Sequence, residues 1–168
     1  MSLNFDTETI RRLRDALLAG SRAESTSSPG DAESASDRLQ ASMERAAPFV
    51  ETMYLVMIAD GQVERAEKQA IMGAISLLTH GLLQQSALDS ILAASAGEVE
   101  RHGVEARLQM IGAKISADRQ DREIAFTLAA AVAMADEQLA LQEGSLLESI
   151  AEWYGISHKR CNEILQQL

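Results

Sequence analysis

The chain contains an internal repeat. Displaced by 76 residues, the stretch 56–67 falls on 132–143, and five of the 12 positions are identical: Val56, Ala59, Asp60, Gln62 and Glu67 match their partners. Ile71, Ala74, Ile75 and Leu78 then follow Glu67 at distances of 4, 7, 8 and 11 residues, and Leu147, Ile150, Ala151 and Tyr154 follow Glu143 at the same distances. That spacing marks one buried face of a helix in each copy. Each half therefore reads as helix, acidic turn, helix. Two such halves are expected to pack about a pseudo-twofold axis and to share one core.

Composition agrees with an all-α fold of about seven helices. Hydrophobic residues make up 46% of the chain and aromatic residues 4%, so the core must be built from aliphatic side chains and Met rather than rings. Two prolines, Pro29 and Pro48, leave long stretches free of breakers, and much Ala, Leu, Glu and Gln favours helix. No period-two run of β-branched residues suggests a strand. At 168 residues the chain is long enough for one domain with a real core.

Three regions follow. Residues 1–20 form an N-terminal appendage. Within it 6–19 reads as a helix capped by Asp6 or Thr7, with Ile10, Leu13, Leu17 and Leu18 as an apolar stripe. Residues 21–36 are rich in Ser, Ala, Gly and acid and contain Pro29-Gly30. With no large apolar residue to bury, they read as a flexible linker. From 37 to 168 the pattern is helical. Pro48 is expected to kink or split the first helix, 37–59. Further helices are expected at 64–80, 86–94 (ended by Gly97), 98–115 (weakened by Gly103 and Gly112) and 119–135 (capped by Asp118). The last two span 141–154, stopped by Gly155, and 158–167, capped by Ser157.

The formal net charge of −10 disfavours nucleic acid and anionic lipid as partners. One cysteine, Cys161, cannot form an internal disulfide, and residues 1–8 carry no apolar run of a signal peptide, so a cytoplasmic location is expected. The most apolar stretch, 124–135, is 12 residues long. It falls short of the ~20 needed to span a bilayer, so no membrane span is expected. A protein partner or a homo-oligomer remains open.

An apolar helix, Ala59-Asp60-Gly61-x-Val63-x-x-x-Glu67, an amphipathic helix, then Met134-Ala135-Asp136, Glu143 and a closing Tyr154-Gly155-Ile156-Ser157 resemble the TerB-like family. This tellurite-resistance fold is shared with the N-terminal region of a membrane-anchored DnaJ co-chaperone. The resemblance covers about residues 37–168. It implies an all-helical, pseudo-symmetric fold, a divalent-metal site made of acidic residues, and a role in bacterial stress or tellurite response, with no enzymatic activity to carry over. Asp60 and Glu67 match the first motif, and Asp136 and Glu143 match the second. The second half departs from the pattern: Glu137 stands for the turn glycine and Ala140 for Glu64.

A tight turn through Gly61 can bring Asp60 and Glu67 to one mouth, and Asp136 and Glu143 supply two more carboxylates if the halves are symmetric. Four carboxylates without His or thiolate suit Ca²⁺, Mg²⁺ or Mn²⁺ rather than zinc, and no organic cofactor is implied. A structural reading stands beside this one, in which Glu67 caps its own helix and Asp60-Gly61 is a turn. An EF-hand does not fit, because its first and third ligand positions would be Val56 and Ile58. Glu-x-x-His pairs, His-Asp dyads and Gly-rich phosphate loops do not occur in the sequence. Two functional readings remain: a non-catalytic metal-responsive protein, or a helical interaction module whose acidic turns are structural. An enzyme built on the carboxylates ranks last, because no general base–nucleophile pair is legible.

Overall fold

The structure, a computed structural model, describes residues 35–59, 65–78, 84–134 and 141–168. These form seven helices and no strand among the described residues: α1 Ala35–Met57, α2 Arg65–Leu78, α3 Gln85–His102, α4 Val104–Ile115, α5 Arg119–Ala133, α6 Leu141–Trp153 and α7 His158–Leu165. The expected helix at 6–19 and the linker through residue 34 lie outside the described residues.

Helices α1 and α5 form the centre of the fold and pack most extensively on each other, with α2, α3, α4 and α6 against their flanks and α7 against α5. The reason is visible in their sequences. Helix α5 is buried from Ile124 through Ala133, and half of that run is Ala, so neighbouring helices can approach closely. On α1, Phe49, Val50, Met53, Leu55, Val56 and Met57 are buried. A helix that is apolar nearly all round must sit inside its domain.

The repeat is visible in the bounds of the helices. The last residues of α1 and α5, Met57 and Ala133, are equivalent under the 76-residue shift, and so are the first residues of α2 and α6, Arg65 and Leu141. The apolar stripes also agree: Ile71, Ala74 and Ile75 on α2 are buried, as are Leu147, Ile150 and Ala151 on α6 and Tyr154 beyond it. Arg45 and Asp121, equivalent positions preceding the two copies, meet in an ion pair at 3.5 Å between α1 and α5.

Two sequence expectations need correction. Of the kink or split expected at Pro48, the split does not occur, since α1 runs unbroken across it. Proline removes one backbone hydrogen bond, but the burial of Phe49, Val50 and Met53 against the core holds the next turn in place. Gly97 does not end a helix either. Helix α3 continues through it, and the break falls at Gly103, whose φ of +81° favours glycine. A helical glycine costs about 1 kcal/mol relative to Ala, which packing readily offsets.

Local capping follows the sequence more closely. The Asp118 carboxylate accepts hydrogen bonds from the backbone N–H groups of Gln120 (2.7 Å) and Asp121 (3.3 Å) and starts α5. The Ser157 hydroxyl accepts from the Arg160 N–H at 3.3 Å and starts α7. Gly155, at φ +67°, ends α6 in a Schellman motif, with Gly155 N–H donating to Glu152 O (3.0 Å) and Ile156 N–H to Ala151 O (2.8 Å).

Candidate functional site

The four carboxylates of the acidic turns lie at the edge of what the structure describes. Asp60 and Asp136 fall outside the described residues. Glu67 and Glu143 are described as helical backbone: each is the third residue of its helix, α2 and α6 respectively. Their position in the first helical turn agrees with both readings of the sequence, a ligand at the mouth of the turn or a carboxylate favoured by the positive helix end. Among the described residues no group of three or more His, Cys, Asp or Glu side chains is arranged to hold a metal ion.

Charged residues that the sequence did not single out tie the helices to one another. The Arg107 guanidinium on α4 donates to both carboxylate oxygens of Glu51 on α1, at 2.7 and 2.9 Å, and its third nitrogen lies 3.1 Å from Glu98 on α3. Glu51 is 8% exposed. The two-pronged contact with Glu51, more than the charge of Glu98, raises the Arg107 pKa, with burial opposing it. This arginine ties three helices together four residues beyond the Gly103 break. Its signal in the sequence is a glutamate at position 51 amid the apolar run of α1, where an unpaired charge would be costly.

A second set joins α5 to α7. Glu123 accepts from Arg160 at 2.8 Å and from Arg119 at 2.9 Å, and Arg160 also reaches Glu163 at 3.0 Å. The Arg160 hydrogen bond, aided by Arg119 and opposed by burial, holds the Glu123 carboxyl below the usual range. Arg122 spends its charge on backbone instead. It donates to the carbonyls of Tyr154 (3.2 Å) and Gly155 (3.4 Å), just past the C-terminus of α6.

Tyr154 is buried, as its stripe predicts, and its hydroxyl meets Thr52 of α1 at 2.7 Å. Burial pushes the Tyr154 phenol well above its ordinary pKa, so it stays protonated. Trp153 is half-buried at the edge of the core. His102 ends α3, 3.7 Å from Glu98, and His158 begins α7 in an exposed position. His80 lies outside the described residues. Cys161 is buried, and burial raises its thiol pKa, the behaviour of a packing residue rather than a nucleophile.

One cavity of about 700 Å³ opens between α6, α7 and the end of α5. Phe126, Leu147, Ala151, Ile156, Cys161 and Leu165 supply its apolar lining, and Glu148 and Glu152 line it from α6. Met134, the residue after α5, also borders it and is 42% exposed.

No described helix is long and apolar enough to cross a membrane. No curated protein and no solved structure matches the chain. The family model described as "Tellurite resistance protein TerB" matches residues 45–166, from the middle of α1 to just past α7. With well over half its length matched, and with the all-helical fold that the resemblance implied, the chain belongs to the TerB family.

Proposed function

We propose that the chain is a non-catalytic, metal-responsive protein of the bacterial stress and tellurite response, with a divalent cation held by Asp60, Glu67, Asp136 and Glu143. The observation that carries this reading is the registration of the two halves. Helices α1 and α5 end, and α2 and α6 begin, at equivalent residues, with Glu67 and Glu143 third in their helices and one aspartate in the sequence between each pair. Pseudo-symmetric packing of the halves would bring the two turns to one end of the central helix pair. Four carboxylates repel one another unless a cation or protons neutralise them, and an all-oxygen donor set favours Ca²⁺, Mg²⁺ or Mn²⁺. The second turn, with Glu137 and Ala140 in place of glycine and glutamate, would hold the ion less tightly than the first. A reducing cytoplasm suits the single buried Cys161.

A ligand that binds the folded state alone raises stability by about 2.7 kcal/mol at 100 times its Kd. The melting temperature of metal-stripped protein is therefore expected to rise by several degrees with at least one of the three cations, and not for Glu67→Gln/Glu143→Gln. A melting temperature indifferent to all three would turn the reading to its alternative, a helical interaction module with structural turns. The cavity between α6 and α7 favours that alternative, since an apolar groove can receive the apolar face of an amphipathic helix.

A further inference from the structure

We propose that the groove between α6 and α7 is the docking site of the chain's own N-terminal segment, residues 6–19, bound in cis. The groove has an apolar floor from Phe126, Leu147, Ala151 and Leu165, with Met134 exposed at one end. Two exposed carboxylates, Glu148 and Glu152, stand one helical turn apart along its α6 side. A groove of this chemistry takes an amphipathic helix with apolar anchors at i, i+3 and i+7 and basic residues beside them.

The N-terminal sequence supplies that pattern. Ile10, Leu13 and Leu17 stand at i, i+3 and i+7, with Leu18 next to them. Arg11 and Arg14 stand three residues apart on the Leu18 side of that pattern, and Glu148 and Glu152 four apart on α6. The run Arg11-Arg12-Leu13-Arg14 gathers the three positive charges of the segment against that acidic edge, with Asp6, Glu8 and Asp15 outside the run.

The tether favours this occupant over a separate protein. The stretch 20–34 can span roughly 50 Å when extended, at ~3.3–3.6 Å per residue. A domain of this size has a radius of gyration of about 15 Å, so much of the surface is within reach. A short, Ser- and Gly-rich tether gives an effective concentration of order millimolar. Weak docking therefore suffices in cis, and a second copy or another protein must displace the segment before it can bind.

The test uses the full chain with a photo-crosslinking benzoylphenylalanine in place of Leu13, irradiated at low micromolar concentration and mapped by mass spectrometry. Intrachain links to peptides spanning 144–165 are expected. Glu148→Lys/Glu152→Lys, which changes exposed side chains and leaves the core intact, is expected to lower their yield several-fold, and adding Arg11→Glu/Arg14→Glu to restore it. Links between two chains would assign the groove to a second copy and overturn the proposal. So would links scattered outside 144–165, no links, or a yield indifferent to the charge reversal. Cys161 gives an independent readout, because it lines the groove and is the single cysteine. Its alkylation rate is expected to rise several-fold in Leu13→Asp/Leu17→Asp, and an unchanged rate would also overturn the proposal.

Discussion

Thr52 and Tyr154, 102 residues apart in sequence, share a buried hydrogen bond of 2.7 Å that joins α1 to the end of α6. The Thr52 hydroxyl has one hydrogen, and it goes to the Pro48 carbonyl at 2.8 Å. Tyr154 is therefore the donor, and Thr52 receives. This assignment makes the two residues unequal. Thr52→Val leaves the Tyr154 hydroxyl buried without its acceptor and is expected to cost about 1–3 kcal/mol, whereas Tyr154→Phe leaves Thr52 with its Pro48 bond and should cost about 0.5–1.5 kcal/mol. Urea unfolding of the two variants, with midpoints compared at equal m-values, checks the order.

The Glu51–Arg107 pair is expected to behave as a buried ion pair whose partners cannot be removed singly. Arg107→Met should destabilise by on the order of 2–3 kcal/mol, somewhat below the ~3–5 kcal/mol of a fully buried pair, because the Arg107 side chain keeps 14% of its surface exposed. Adding Glu51→Leu should recover much of that loss by removing the stranded carboxylate. A double-mutant cycle in urea measures the coupling directly.

Gly112 and Gly97 are expected to respond to alanine in opposite ways. A Cβ at Gly112 would lie 2.8 Å from the Trp153 carbonyl oxygen, where α4 crosses the end of α6, while one at Gly97 would meet only the Arg101 side chain at 3.7 Å. Gly112→Ala should cost about 1–3 kcal/mol through overpacking. Gly97→Ala should gain up to about 1 kcal/mol from helix propensity. Thermal unfolding of both variants tests the pair.

The Glu123 cluster sets a pH dependence. Its carboxyl pKa is lowered in the folded state, first by Arg160 and then by Arg119. The stabilisation is therefore complete above the unfolded value of about 4.3 and is lost as pH falls through the lowered folded value. Glu123→Gln is expected to lower the melting temperature at pH 7, and the gap from the parent chain should narrow steadily below pH ~4.5. A gap that stays constant down to pH 3 would remove the charge from the account.

Much of this fold is legible in the sequence because it follows from the repeat and from local chemistry. The 76-residue shift places the ends of α1 and α5 and the starts of α2 and α6. Asp118, Ser157 and Gly155 act through backbone groups two to five residues away. The misplaced features depend on distant partners. Whether Gly97 or Gly103 breaks a helix, and whether Pro48 splits one, is decided by what packs on the neighbouring turns. Gly112 reads as a weak point of a helix, but its role is to admit Trp153. Glu51 gives no periodic signal that names Arg107, 56 residues away, as its partner. The acidic turns are the reverse case: their residue types and spacing are plain in the sequence, while the approach of one turn to the other depends on tertiary packing.

The most direct test of the metal reading is calorimetric titration of the metal-stripped full chain with Ca²⁺, Mg²⁺ and Mn²⁺, beside Asp60→Asn/Asp136→Asn. Saturable binding of at least one cation, abolished in the double variant while its helical content is unchanged, is the predicted result. The absence of binding heat with all three cations at several temperatures, or binding that survives the double substitution, would contradict it.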